Sequence, residues 1–361
     1  MLIKKLDWWL LGSVAVLLVL SLAILYSLGT TKTENLTWFY RQAVWIVVGL
    51  AGCIFLSLMD FRGFSTSPFI ILILYFFVIV LLISVLVFGK TISGNRAWFA
   101  IGPFTFQPVE FAKLVLILFL AGYFSEKNIE IWRIRHIFIS GAALFGILGL
   151  VLLQPDWGSG LVLAGIWFLM LLVSGARTKQ VLLIILSFII LVLISWQWFF
   201  TENQQQRITG FLFPQQDPYG VSYSQRQALI ALGSGGLWGK GLGRGTQTQL
   251  GFLPASRTDF IFSSIGEELG FLGVSAVLVS LGIIFWRLIL LGLSGMNNYV
   301  KLFSLGYLAW LFVETVIHLG MNLGFLPVIG IGLPFVSYGG SHLLALFIGL
   351  GIINSIQIYG K

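Results

Sequence analysis

The chain is short of charge. Of its 361 residues only 9% are Asp, Glu, Lys or Arg, where a soluble domain carries about a quarter. So few charges cannot dress a water-facing surface, and a soluble globule is excluded. Cysteine is nearly absent: Cys53 stands alone, which excludes a disulfide framework and a Cys/His zinc centre. His136, His318 and His342 are too far apart in sequence for a metal-binding motif. No metal site built from side chains alone is expected; a divalent cation, Mg or Mn, shared between carboxylates and phosphate oxygens stays open. Lys240 lacks the glycine pattern of a P-loop and is not followed by Ser or Thr, so neither a nucleotide nor an organic cofactor is expected.

What is there instead is hydrocarbon. Hydrophobic residues make up 58% of the chain, and apolar runs fall near 9–29, 38–58, 68–88, 108–124, 136–153, 159–174, 179–200, 264–290, 301–325 and 334–357. Runs of about 17–25 residues can cross a hydrocarbon core of roughly 30 Å as helices. The expected fold is an all-α polytopic membrane protein of about ten transmembrane helices, one bundle over residues 1–361. Lys4 and Lys5 precede the first run as in a signal peptide, but the run is too long and no A-x-A site follows, so it should remain as an anchor.

Basic residues give the orientation. With the N-terminus inside, inner segments hold Lys4, Lys5, Arg62, Lys127, Arg133, Arg135, Arg177, Lys179, Arg287, Lys301 and Lys361, and short outer loops hold Lys32, Arg41, Lys90 and Arg96. Eleven against four places both termini in the cytoplasm and the long loop of about residues 201–263, between helices 7 and 8, outside. The net charge of +8 is mostly this topology signal and calls for no nucleic acid. Within the loop, Phe213-Pro214 and Asp217-Pro218-Tyr219-Gly220 read as turns, and Tyr223 to Leu232 as a short amphipathic helix at the interface.

That loop also carries the most polar stretch of the chain, Gly233 to Gln249, with glycines at 233, 235, 236, 239, 241, 243 and 245. Polar backbone in a membrane protein belongs where water or a polar substrate meets it. The glycines suit close backbone approach, a phosphate cradle, or plain loop flexibility, and Lys240, Arg244 and Arg207 suit a lipid pyrophosphate at the interface. Inside the spans, Glu110 and Lys113 are three apart on one helical face and can pair, which favours a structural or substrate-shaping role over direct catalysis. Glu314 and His318, four apart, read first as an interhelical contact. Asp156 is placed to cap a helix or to touch substrate. Asp259 has a cap reading, through the Ser256–Asp259 spacing of a capping box, and a base reading, with cations nearby and partial burial lifting its basicity. Glu267 and Glu268 near a helix start are favourable in any case.

The wording of these segments resembles the SEDS family of bacterial cell-shape, division and sporulation proteins. The resemblance is carried by Gly94-Asn95-Arg96-Ala97-Trp98, Phe106 to Lys113, Gln154-Pro155-Asp156, Arg207, Asp217-Pro218, Gly220, Tyr223, Ile230 to Gly236, Gly239-Lys240-Gly241, Gly245 to Pro254, Thr258 to Phe262, Gly266 to Gly270, and Gly320 to Ser341. Gly245-Thr-Gln-Thr-Gln249 points to the elongation branch, RodA, rather than the division branch, FtsW. The resemblance implies a SEDS-type bundle in the bacterial cytoplasmic membrane that polymerises lipid II into glycan strands at the outer face. Asp259 would be the essential general base. Lys240, Arg207, Arg244 or a divalent cation would meet the leaving pyrophosphate. Asp156 would contact substrate, and Glu110 and Lys113 would shape a groove for the polyprenyl tail among membrane lipids. The implied partners are lipid II, the nascent strand and a class B penicillin-binding protein. A lipid II flippase and a non-catalytic scaffold for that transpeptidase are the alternatives. The chain departs from the family wording at Ala255, Val109 and His342.

Overall fold

The computed structural model describes residues 6–30, 36–60, 67–92, 94–102, 104–127, 133–198, 200, 202–213, 215, 220, 222–295 and 297–359. Lys4, Lys5, Lys32, Arg62 and Lys361 of the charge count, Pro214, and the turn residues Asp217, Pro218 and Tyr219 lie outside the described residues.

Apolar sequence becomes helix here because a backbone without water must bond to itself. The helices are α1 (Trp8–Gly29), α2 (Thr37–Leu58), α3 (Pro68–Phe88), α4 (Pro108–Lys127), α5 (Ile134–Leu153), α6 (Trp157–Val173), α7 (Thr178–Trp198), α8 (Glu202–Leu212), α9 (Tyr223–Ser234), α10 (Thr246–Gln249), α11 (Ile261–Ser294), α12 (Asn298–Asn322) and α13 (Gly340–Tyr359). Nine of them are long and apolar enough to cross a membrane, and α6, at 17 residues, is a shorter apolar helix. Together they match the ten expected runs, with α8 to α10 forming the long loop. Between α3 and α4 the loop that holds Lys90 and Arg96 forms a small antiparallel meander, β1 (Lys90–Ile92), β2 (Asn95–Ile101) and β3 (Phe104–Phe106).

Local chemistry sets several ends. The Asp7 carboxylate accepts from Leu10 N at 3.1 Å to start α1, and Asn297 accepts from Val300 N at 2.8 Å to start α12. Pro68 opens α3, where its missing N–H costs nothing. The last run begins later than the sequence suggests, at Gly340 and not near 334. Pro334 has no N–H to donate and Phe335 sits at φ 62°, so residues 330–338 fold as an irregular loop across the end of the bundle.

Burial separates core helices from rim. In their most apolar windows α13 is 78% buried and α4 and α12 are each 67% buried, whereas α7 is 0% buried. A helix apolar all round needs no protein partner where lipid supplies one. The three central helices carry Glu110, Lys113, Glu314, His318 and His342, and their polar termini meet at one end of the bundle. At that end lie the C-termini of α1 and α12, the N-termini of α4, α6, α11 and α13, and the described residues of the 201–263 segment, as Ser27 against Glu268 and Asn322 against Ser263 record. The opposite end is tied by Arg287 Nε donating to Asp7 Oδ2 at 2.6 Å.

Candidate functional site

At the polar end α11 is broken. Gly270 adopts φ 66°, ψ −159°, outside the helical region, which strands carbonyls on one side and amides on the other. The glycine-rich segment satisfies both. Lys240 N and Gly241 N donate to the carbonyls of Glu267 and Glu268, each at 2.9 Å, while Phe271 N and Leu272 N donate to Gly236 O at 2.9 Å and Leu237 O at 3.3 Å. A side chain on Gly239 would overlap Glu268 O, and one on Gly270 would overlap Gly239 N. Close approach between two backbones is thus what these two glycines serve, and the amides of residues 240 and 241 are spent on the helix break.

The Thr246–Gln249 turn serves the two glutamates. Glu267 accepts from Lys240 Nζ at 2.8 Å and from the amides of Gln247 and Thr248, each at 2.9 Å. Lys240 Nζ also donates to Thr246 Oγ1 at 2.8 Å. Glu268 accepts from Ser27 Oγ, from Gln249 Nε2 at 2.6 Å and from Thr248 Oγ1 at 3.3 Å. Lys240 therefore anchors the loop, and Arg244, on the same loop, is exposed.

A second cluster joins the central helices. Lys113 Nζ donates to Glu110 Oε1 at 2.8 Å and to Glu314 Oε1 at 2.7 Å, and lies 5.8 Å from the Trp310 ring centroid. His342 Nδ1 is 2.7 Å from Glu110 Oε2, and its Nε2 is 3.6 Å from Glu314 Oε2. The expected Glu110–Lys113 pair is present, and no local pattern showed that Glu314 and His342 would complete it; Glu314 bonds across to Lys113 on α4, while His318 turns Nδ1 to Ile331 O at 2.8 Å. Ligand atoms of Glu110, Glu314 and His342 lie within 4.8 Å of one another. Lys113 already bonds one oxygen of each carboxylate and His342 the second oxygen of Glu110, so the donor atoms are spent within the cluster and this set does not fit a divalent cation.

Asp156 caps α6: its Oδ1 accepts from Ser159 N at 3.1 Å and its Oδ2 from Ser159 Oγ at 2.7 Å and Gln107 Nε2 at 3.1 Å. Burial raises its carboxyl above the usual range, against the pull of the Ser159 bonds.

Asp259 makes no such cap. The N-cap of α11 is Phe260, without a side-chain bond, so the capping-box spacing is not used. The Asp259 carboxyl is partly buried, bonded to Thr258 and facing Arg207. Burial raises it above the ordinary carboxylate value, outweighing the Thr258 bond and the Arg207 charge. Arg207 on α8 is exposed and reaches Val328 O at 3.5 Å. A Cβ on Gly330, at φ 77°, would lie 3.6 Å from Asp259 Oδ2, so that glycine borders the carboxylate. The backbone beneath is held at three successive carbonyls: Arg257 O by Tyr338 N at 3.0 Å, Thr258 O by Ser337 Oγ at 2.7 Å, and Asp259 O by Asn322 Nδ2 at 2.9 Å.

The Arg207 charge is felt at Asp259 without an ion pair between them; Lys240 and Arg244 sit on the neighbouring glycine-rich loop; Asp156, Glu110 and Lys113 form a deeper group at the starts of α4 and α6. Gly330, Asn322 and Ser337 entered the sequence reading only as wording, because nothing local shows that a loop some 70 residues on folds beneath Asp259.

Comparison with known proteins accounts for the whole chain. The FtsW/RodA/SpoVE family model, described as cell cycle protein, matches residues 2–361. Stage V sporulation protein E of Bacillus subtilis (strain 168) is 33% identical over 356 residues, 96% of this chain and 95% of that one. The probable peptidoglycan glycosyltransferase FtsW of Pasteurella multocida (strain Pm70) is 38% identical over 294 residues, 79% of this chain and 72% of its own. Among solved structures, the rod shape determining protein RodA of Thermus thermophilus superposes with a TM-score of 0.72 at 31% identity, covering 98% of this chain and 96% of its own. A chain from a peptidoglycan synthase complex, described for its coordination of polymerization and crosslinking, superposes with a TM-score of 0.82 at 31% identity over 99% of both chains.

Proposed function

The chain belongs to the FtsW/RodA/SpoVE family of cell cycle proteins, and from that membership we propose that this multi-pass membrane protein is a peptidoglycan glycosyltransferase that polymerises lipid II at the polar end of its bundle, with Asp259 as general base. The 4-hydroxyl of the acceptor's N-acetylglucosamine attacks the anomeric carbon of the growing strand's N-acetylmuramic acid. Its proton passes to Asp259 as the glycosidic bond forms, and the bond to undecaprenyl pyrophosphate breaks. Arg207, opposite Asp259, and Arg244 on the adjacent loop supply positive charge to the departing diphosphate.

One observation carries the assignment: of the buried or partly buried carboxylates at this end, Asp259 has lone pairs to offer. Glu267, Glu268, Glu110 and Asp156 are each bonded to two or more partners. Glu314 keeps a second oxygen without a hydrogen-bond partner but is 0% exposed, out of a substrate's reach. A base near its ordinary pKa is weak, and burial shifts Asp259 toward useful strength. The positive-inside count supports placing this end outside, with both termini in the cytoplasm. The Gly245-Thr-Gln-Thr-Gln249 wording supports a role in elongation, and the coordination described for the related synthase complex supports a class B penicillin-binding protein as partner. A divalent cation, Mg or Mn, would draw on the diphosphate oxygens and share the charge met by Arg207 and Arg244.

The test is polymerisation of labelled lipid II by the purified protein with its transpeptidase, with and without Mg or Mn, wild type beside Asp259→Asn. Loss of about 10²–10⁴-fold in a folded Asp259→Asn is expected. Polymer from both at equal rate would remove Asp259 from the chemistry, and polymer from neither would favour transport or scaffolding.

A further inference from the structure

Asp259 stands on backbone that another part of the chain holds, and the hold is uneven in a way that assigns roles. Asn322, the last residue of α12, is fully buried and uses its whole amide. Its Oδ1 accepts from Ser263 N at 3.1 Å and Ser263 Oγ at 2.7 Å; its Nδ2 donates to Asp259 O at 2.9 Å and His318 O at 2.8 Å. The Oδ1 arm caps a helix that has no side-chain cap of its own. The Nδ2 arm does something else: it fixes the peptide unit that carries Asp259. Ser337, also buried, accepts from Leu333 N and donates to Thr258 O, each at 2.7 Å, so the preceding peptide unit is fixed from the loop between α12 and α13.

We infer that Asn322 and Ser337 are positioning residues for Asp259, setting the carboxylate's place through the carbonyls of residues 258 and 259. The inference rests on the reading of Asp259 as the base. An aspartate has only two side-chain torsions, so its carboxylate goes where its peptide unit is put, and a Cβ at Gly330 would come within 3.6 Å of Oδ2. The side chain itself is held by little beyond Thr258, which leaves the backbone to set the geometry. A displacement of about 1 Å in a reacting group can cost on the order of 10²-fold in rate.

Asn322→Asp separates the two arms. The carboxylate still accepts from Ser263 N and Oγ, so the cap on α11 survives, but an oxygen now faces Asp259 O where a donor stood. Ser337→Ala removes the donor to Thr258 O from the other side. Ser263→Ala serves as the control, since it weakens the cap arm alone. Each variant is purified with the transpeptidase partner, checked for folding by thermal unfolding, and assayed for lipid II polymerisation across pH beside wild type and Asp259→Asn.

Asn322→Asp and Ser337→Ala are expected to lower kcat by about 10–10²-fold with KM within about twofold, and to move the acid limb of the pH–rate profile as the carboxylate changes surroundings. Ser263→Ala should stay within about threefold of wild type. A purely structural role would lower the fraction of active enzyme and leave the acid limb in place, and that result overturns the inference. So does a wild-type kcat in both variants while Asp259→Asn is inactive. A fully active Asp259→Asn would instead remove the base reading on which the inference rests. If Asn322→Asp does not fold, Ser337→Ala decides alone by the same readouts.

Discussion

Among the residues of the polar end, Asp259 and Glu267 show how one functional group takes opposite roles. Glu267 is surrounded by donors, two amides and the Lys240 ammonium, and is fully committed to structure. Asp259 has few donors and partial burial, which raises its carboxyl above the unfolded value. For an acid with a raised folded pKa, the folded state carries a cost whenever the group is ionised. That cost is absent below the unfolded pKa, near 4, sets in as pH rises toward the folded pKa, and persists at neutral pH. Asp259→Asn should therefore raise the unfolding temperature at pH 7 by about 1–3 °C while lowering polymerisation by about 10²–10⁴-fold. The gain should shrink at pH 4, and a scan of melting temperature against pH checks the sign. Wild-type activity should fall on the acid side at a pH above the ordinary carboxylate value.

The element whose construction matters most is the broken helix α11. Its interruption is stabilised by four backbone bonds from the glycine-rich loop, and not by any side chain at the break. That makes individual glycines unequal. Gly239→Ala would put a Cβ into Glu268 O and hold alanine at φ 77°; it should destabilise by roughly 2–4 kcal/mol and dislodge the loop that carries Lys240 and Arg244. Gly233, in α9, has open space around a Cβ, so Gly233→Ala should be neutral or stabilise by up to about 1 kcal/mol. Thermal unfolding of the two variants in detergent distinguishes packing from flexibility as the reason for this loop's composition. Equal behaviour would mean that the break does not depend on close approach.

At the scale of the whole molecule, the Lys113 ammonium locks the three most buried spans. It bonds Glu110 of α4 and Glu314 of α12, and Glu110 in turn meets His342 of α13. One cation between two carboxylates inside the bundle makes removal of that cation worse than removal of the set. Lys113→Met should destabilise by about 3–5 kcal/mol, because it leaves two buried carboxylates facing each other. Adding Glu110→Gln and Glu314→Gln to it should recover much of the loss. A triple variant no more stable than Lys113→Met would show that packing around Lys113, and not charge balance, holds the junction.

Length and composition are one-dimensional properties, and what they govern was readable without a fold. The ten apolar runs, the loop between helices 7 and 8 and the amphipathic helix beginning at Tyr223 follow from solvation: lipid demands apolar helix, and polar backbone is pushed to the ends. The Glu110–Lys113 pair was equally legible, since three residues on one helix are always neighbours. Contacts between residues far apart in sequence were not. Only the tertiary structure decided that Glu314 joins Lys113 across 201 residues, that Asp259 caps nothing and has its backbone carbonyls held by Asn322 and Ser337, and that the amides of Lys240 and Gly241 bond carbonyls at a helix break. Each of these is a matter of which carbonyl lies within about 3 Å of which donor, and no local pattern in a chain fixes a distance between segments brought together only by packing.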